Sequence, residues 1–308
     1  MAGLLAPIQA LWARLMAPLL LLPGNVRGAI FIMTAGMIFT AGSGFVKELG
    51  GEITVWQILL IRQATMMVTV LPVIARNFPD ALRTKSLKLQ FVRVVFAIIA
   101  MVGSFLAIQH MPLADATALS FAKSLFVTIF AIVLLKEVAG LSRWAATLIG
   151  FGGVLVIVQP GAHGVDIYAL YAVAGAAGAA MVSVIIRHLS QFDRSITILS
   201  YQALLVGAVM LPLGIYYWVW PTLLQWAMML GIGLLSVAGQ FCNIAGYRAG
   251  EASAVAPLDY ARMVFAALIG LVLFSEVPTW ATIAGSGIIV ATSIYTLRSE
   301  RRGRRAGK

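Results

Sequence analysis

Residues 107–138 read AIQHMPLADATALSFAKSLFVTIFAIVLLKEV and are followed at 143–158 by RWAATLIGFGGVLVIV. Residues 245–277 read AGYRAGEASAVAPLDYARMVFAALIGLVLFSEV and are followed at 279–293 by TWATIAGSGIIVATS. The second stretch repeats the first. A shift of 139 positions lays Ser120 on Asp259, Phe121 on Tyr260, Lys123 on Arg262 and Glu137 on Glu276, and a small gap after the glutamate brings Trp144 onto Trp280. So long a period excludes a solenoid and marks a duplicated half-protein. Each copy carries a cation in apolar surroundings at the same place.

The chain around this repeat has 308 residues, 61% of them hydrophobic and 11% charged, against about 25% charged in soluble domains. Such a composition belongs in a bilayer. Ten apolar runs of about the length needed to cross 30 Å as helix are expected near 28–46, 53–75, 91–110, 112–135, 143–159, 166–186, 196–218, 222–246, 252–274 and 279–297. Five per copy is an odd number, so the copies enter the membrane in opposite directions. The expected fold is therefore an all-α polytopic membrane protein, with ten transmembrane helices in two inverted five-helix repeats, 26–160 and 161–297. Residues 298–308 form a basic cytoplasmic tail. Residues 1–25, broken by Pro7, Pro18 and Pro23 and carrying Arg14 in mid-run, lack the charge order of a signal peptide and read as an interfacial segment.

The net charge of +11 is topological. With both termini cytoplasmic, nearly all Lys and Arg fall on the inner side, including the loop 76–90, and Lys47 alone falls outside. Nucleic acid is excluded as a partner; anionic lipid is the partner of the tail. The lone Cys242 gives no disulfide and no metal site. His110, His163 and His188 sit at span ends without metal-ligand spacing. No metal or cofactor is expected, nor an enzyme, since no set of nucleophiles gathers at one membrane face.

Ionisable residues inside spans cost about 2.5–3.5 kcal/mol each at a helix centre. Here they are Arg62, Lys123, Asp259 and Arg262. Asp259 and Arg262, three apart, share a helix face and neutralise each other; Pro257 loosens the preceding turn. Lys123 lies at the edge of a polar stripe, Thr117, Ser120, Ser124 and Thr128, with no acid on its own helix. Its partner is Asp259, a carbonyl, water or the substrate, and the sequence leaves these open. Arg62 is expected to snorkel or to pair with Glu48 or Glu52. Gln240 and Asn243 offer amides on one face of the eighth span, with Phe241 adjacent. Small residues at 172–181 and Gly150, Gly152, Gly153, Gly285 and Gly287 predict close helix packing. Glu137 and Glu276 end their helices where the dipole disfavours an anion, so each needs a specific partner, for which the start of a neighbouring helix is the expectation. Tyr216, Tyr217, Trp218 and Trp220 read as an outer aromatic belt.

Two copies, each with an amphipathic fourth helix ending in apolar-x-Glu-Val and followed by Trp and a Gly-rich fifth helix, resemble paired EamA domains of the drug/metabolite transporter superfamily. The resemblance covers Val26 to Leu297. It implies a central cavity walled by spans one, three, four, six, eight and nine, with Lys123 and the Asp259–Arg262 turn beside it. The Gly-Glu pair frequent at the end of the fourth helix in such domains is here Lys136-Glu137 and Ser275-Glu276. The expected function is secondary active transport of a small anionic or zwitterionic organic metabolite (amino-acid-like, organic acid or nucleotide-type) across the cell inner membrane by alternating access. Lys123 holds the anionic group in this reading, Ser120, Ser124 and Asn243 add hydrogen bonds, and Tyr260 or Phe241 covers the apolar part. Arg262, Asp259, Gln240 and Arg62 complete the candidate site. The coupling partner (a proton, an ion or a counter-metabolite) and the choice between monomer and homodimer stay open. The alternatives are an exporter of neutral or amphipathic drug-like compounds and, from other classes, a membrane-embedded transferase or a structural membrane subunit.

Overall fold

Apolar runs in which every backbone polar group must be satisfied internally can only be helices in a bilayer, and helices are what form. The computed structural model describes residues 22–135, 141–159, 166–189, 192–249 and 256–306; among these there is no strand. The helices are α1 (Gly24–Glu48), α2 (Val55–Arg76), α3 (Leu87–His110), α4 (Leu113–Ser120), α5 (Lys123–Leu135), α6 (Leu141–Val158), α7 (Ile167–Leu189), α8 (Ser195–Tyr216), α9 (Leu223–Ala249), α10 (Arg262–Phe274) and α11 (Trp280–Ala306). Short 3₁₀ turns occupy Asp80–Leu82 and Ala256–Ala261. Seven helical stretches are long and apolar enough to cross a membrane, and the shorter apolar helices Trp144–Val158 and Trp280–Thr292 accompany them. The expected ninth span, 252–274, falls partly outside the described residues, as do nearly all of segment 1–25 and Glu137. The basic tail continues α11 as helix to Ala306.

The main partnerships are α1 with α9, α3 with α7, α6 with α11, and α2 with α8. Three apolar clusters hold them. One joins Leu119, Leu125, Ala172, Ala176 and Ile289; another joins Val46, Leu49, Ile58, Met229 and Ile232; the third joins Leu59, Val94, Val206 and Met210. The expected small-residue contact is a backbone approach of α3 and α7: a Cβ on Gly103 would stand 2.5 Å from the Tyr171 carbonyl oxygen. Gly153 and Gly285 meet in the same way across α6 and α11, where a Cβ on Gly285 would lie 2.6 Å from the Gly153 carbonyl oxygen. Gly152 and Gly287 do not take part. They face open space, because only one face of each helix is turned to its neighbour. Tyr216 and Trp220 of the expected belt are exposed, while Trp218 packs on Trp226 at 5.9 Å between ring centroids.

Candidate functional site

The fourth span is two helices. Between α4 and α5 the Phe121 and Ala122 N–H groups donate to the carbonyls of Ala118 and Leu119 at 3.1 and 3.0 Å, closing turns of three residues instead of four. Ser120 Oγ donates to the Thr117 carbonyl at 2.6 Å and Ser124 Oγ to that of Phe121 at 2.9 Å. Hydroxyls that bond back to their own backbone compete with helix hydrogen bonds and bend the chain. In the second copy the 3₁₀ segment Ala256–Ala261, which contains Pro257, gives way to α10 at Arg262. Lys123 and Arg262 are therefore each the first residue of an α-helical stretch that follows a tighter turn, at matched places in the sequence repeat. At the first of these joins the N–H groups of Ser124, Leu125 and Phe126 stay bonded to the Phe121 and Ala122 carbonyls at 3.0 to 3.1 Å, so the chain tightens there while keeping its backbone donors paired.

Around these starts the candidate residues divide. Lys123 lies deep among the helices, within electrostatic reach of Asp259 and Arg262, and makes no ion pair or hydrogen bond with a described residue. It keeps accessible surface although Ala122 and Leu125 beside it are buried. Asp259 pairs with Arg262 at 3.9 Å, as the spacing predicts. The Arg262 guanidinium lies 5.5 Å over the Phe39 ring of α1, and its Nε is buried without a partner among the described residues. Its stem crosses α1 at Gly36, where a Cβ would come 2.7 Å from Arg262 Cγ; a larger residue there would displace the guanidinium. Tyr260 meets Phe121 edge-on at 4.8 Å between centroids, so two aromatics matched by the repeat touch each other.

On α9, Gln240 and Asn243 share a face with Ser236, whereas Phe241 stands on the outward stripe with Leu230, Leu234 and Ile244 and is 62% exposed. Phe241 thus lies away from the face that carries the amides. Arg62 does not reach Glu48 or Glu52. Its Nε donates to Ser236 Oγ at 3.0 Å, and one terminal nitrogen donates to Gln63 Oε1 at 3.1 Å and contacts Met101 Sδ at 3.4 Å. It reaches inward because α2 packs against both α3 and α9 there.

Sequence reasoning missed a second buried guanidinium. Arg93, counted with the cytoplasmic cations, is fully buried and donates to Gln202 Oε1 at 3.0 Å and to the Ile198 carbonyl at 2.8 Å. Gln63 in turn reaches the Gln202 carbonyl at 3.4 Å. A polar chain from Arg62 through Gln63 and Gln202 to Arg93 thus crosses the packed α2 and α8. The only signal in the sequence was an arginine set two places inside an apolar run.

Two further polar clusters close the helix ends. Lys47 at the end of α1 pairs with Glu276 at 2.6 Å and donates to the Met111 carbonyl at 2.6 Å. The other Glu276 oxygen accepts the Leu113 N–H at 2.8 Å, so this acid caps the start of α4, the partner its position demanded. Asp115 accepts from Thr282 at the same end of the bundle. At the opposite end Asp193, also missed, accepts from Thr84 Oγ1 at 2.5 Å, the Lys85 N–H at 3.0 Å and Gln90 Nε2 at 2.9 Å. Burial alone would raise its pKa; the three hydrogen bonds outweigh that and hold the carboxyl below the usual range.

No cluster of three His, Cys, Asp or Glu able to hold a metal occurs among the described residues. The sequence pattern of the EamA-like transporter family matches residues 26–159 and 166–298. An S-adenosylmethionine uptake transporter of Rickettsia bellii is 26% identical over 83% of this chain and 88% of its own. A riboflavin transporter of Vibrio cholerae is 28% identical over 89% and 94%. The pseudopaline exporter CntI of Pseudomonas aeruginosa is 32% identical over 89% and 97%. A protein of known crystal structure shares the fold with a TM-score of 0.60, at 19% identity over 87% of this chain and 96% of that one.

Proposed function

The chain belongs to the EamA-like transporter family, and on that footing we propose that it is a secondary carrier of the cell inner membrane, moving a small anionic or zwitterionic organic metabolite by alternating access. The observation that carries this reading is the pair of helix starts at Lys123 and Arg262. In such carriers the substrate site lies where the two repeats meet, and Lys123 and Arg262 occupy matched places in the two copies. The helix partnerships favour two inverted five-helix halves: exchanging the halves turns the α1–α9 contact into the α3–α7 contact and leaves α2–α8 and α6–α11 unchanged.

The charge balance sets the sign of the substrate. Arg62, Arg93, Lys123 and Arg262 lie within spans against Asp259, and Asp259 is engaged with Arg262. Bringing a simple cation into that surplus costs several kcal/mol, whereas a carboxylate or phosphate is drawn to the Lys123 ammonium and the Arg262 guanidinium. Tyr260, packed edge-on against the buried Phe121, supplies an aromatic surface for the apolar part. Thermal-shift screening of the purified protein against a metabolite panel identifies the ligand, since a molecule that binds only the folded state stabilises it. Counter-flow in proteoliposomes then tests the carrier. Lys123→Gln and Arg262→Gln should each weaken substrate affinity about tenfold, equivalent to about 1.4 kcal/mol. Wild-type affinity and rate in both folded variants would refute the site, and flux without saturation or counter-flow would refute the carrier.

A further inference from the structure

The helices that carry the matched cations fall into two sets. α4 and α5 pack on α7, which packs on α3; α10 and the 3₁₀ segment before it pack on α1, which packs on α9. Lys123 belongs to the first set and Arg262 to the second. At the Lys47 end the sets meet. There α10 packs on α4, with Leu113 Cβ 3.9 Å from where a Cβ on Gly270 would stand. The corner Met111-Pro112-Leu113, between α3 and α4, is gripped on both sides. Lys47 donates to the Met111 carbonyl at 2.6 Å, and Glu276 accepts the Leu113 N–H at 2.8 Å. The two charges that grip it are themselves paired at 2.6 Å. Asp115, one turn further on, accepts from Thr282 at the start of α11.

Lys47 and Glu276 both belong to the second set, one at the end of α1 and the other two residues past α10. Parting the sets at this end therefore leaves the ion pair formed and breaks its two hydrogen bonds to the corner. Water replaces such bonds at a small net cost of about 0.5–1.5 kcal/mol each, and both side chains keep some exposure already. Glu276 also stands in the non-helical connection 275–279, so its carboxylate is not fixed by a helix register. Resting on the carrier reading above, we propose that the Lys47–Glu276 pair is a latch. It holds the two sets together at its end of the bundle through the Met111–Leu113 corner, and each transport cycle releases that corner while the ion pair stays formed.

Spin-label distances in the purified full chain, in nanodiscs and with Cys242 replaced by Ser, test this without a ligand. One label pair spans the sets at the Lys47 end, on Ile167→Cys and Val277→Cys, both exposed. A second pair spans them at the opposite end, on Leu22→Cys and His188→Cys, also exposed. Glu276→Ala removes the grip on Leu113 and leaves Lys47 unpaired. It should raise the ratio of long to short distances at the Lys47 end about tenfold and shorten the distances at the opposite end. Glu276→Gln, which keeps an acceptor for the Leu113 N–H, should shift both pairs the same way by less, and keeps the test alive should Glu276→Ala fail to fold. Distances unchanged at both ends would overturn the latch. So would a loosened Lys47 end with the opposite end unmoved, the mark of a purely structural tie. Flux without counter-flow in the wild type would instead overturn the carrier reading, and the latch with it.

Discussion

Replacing Lys47 by Met should expose how much the chain depends on one ion pair at the end of the bundle. Lys47 and Glu276 stand 2.6 Å apart with their side chains 12% and 22% exposed, so solvent screens them little. Lys47→Met removes the cation but leaves the Glu276 carboxylate in place, holding only the Leu113 N–H; the Met111 carbonyl loses its ammonium donor as well. Stranding one member of a buried pair costs about 3–5 kcal/mol, and the residual exposure sets the expectation near the lower end, about 3 kcal/mol. In Lys47→Met/Glu276→Gln the charge is gone while an amide oxygen can still accept from Leu113, so the double variant should recover to within about 1.5 kcal/mol of wild type. Denaturant titration of the purified protein in mixed micelles measures all three. A single-variant cost under about 1 kcal/mol, the value of a surface pair, would refute the reasoning. So would a double variant worse than the single.

Ser275 ends α10 with φ 55°, in the left-handed region, where glycine has no Cβ penalty. Ser275→Gly should raise stability by up to about 1 kcal/mol in the same titration. Asp193→Asn should destabilise by about 1–3 kcal/mol, since it breaks charged hydrogen bonds to Thr84, Lys85 and Gln90. Because the folded-state pKa of Asp193 is depressed, the stability it confers is complete above the ordinary carboxylate pKa of about 3.9. It is lost only as pH falls below that value through the folded pKa, and the difference between wild type and Asp193→Asn should shrink over that acid window and nowhere above it. A cysteine at exposed Lys85, with Cys242 replaced, should resist an impermeant thiol reagent added to intact cells and react in inverted vesicles; labelling from outside would reverse the topology.

What the sequence made legible was whatever repeats or follows a local rule. The duplicated stretch announces itself, and with it the match of Lys123 to Arg262. Asp259 pairs with Arg262 at three-residue spacing because the helix face dictates it. Glu276, an anion at a helix end, required a foreign partner and has one at Leu113. The tightened turn after Ser120 had no such signal, for no Pro or Gly stands there and the Ser120 and Ser124 hydroxyls, which donate to backbone carbonyls, serve equally well in a regular helix. Arg93 escaped because counting cations near a span end as cytoplasmic is right on average and silent about which one turns inward. The partners of Arg62 depend on the approach of α3 and α9, which no spacing within α2 encodes. Phe241 and Asn243 are two residues apart, and a shift of a fraction of a turn in register decides which of them meets the interior.

Gln57 grips the chain between α8 and α9 with both halves of its amide, donating to the Val219 carbonyl at 2.9 Å and accepting the Val219 N–H at 3.1 Å. For anyone tagging this protein, that loop is a trap. Short connections between membrane helices are the customary place for an epitope or a fluorescent insert, and this one has the exposed aromatic tip that invites it. An insert at Val219 would tear a backbone-to-side-chain clasp linking two positions 162 residues apart. The stretch around Arg76 to Asp80 is exposed and is the alternative graft point.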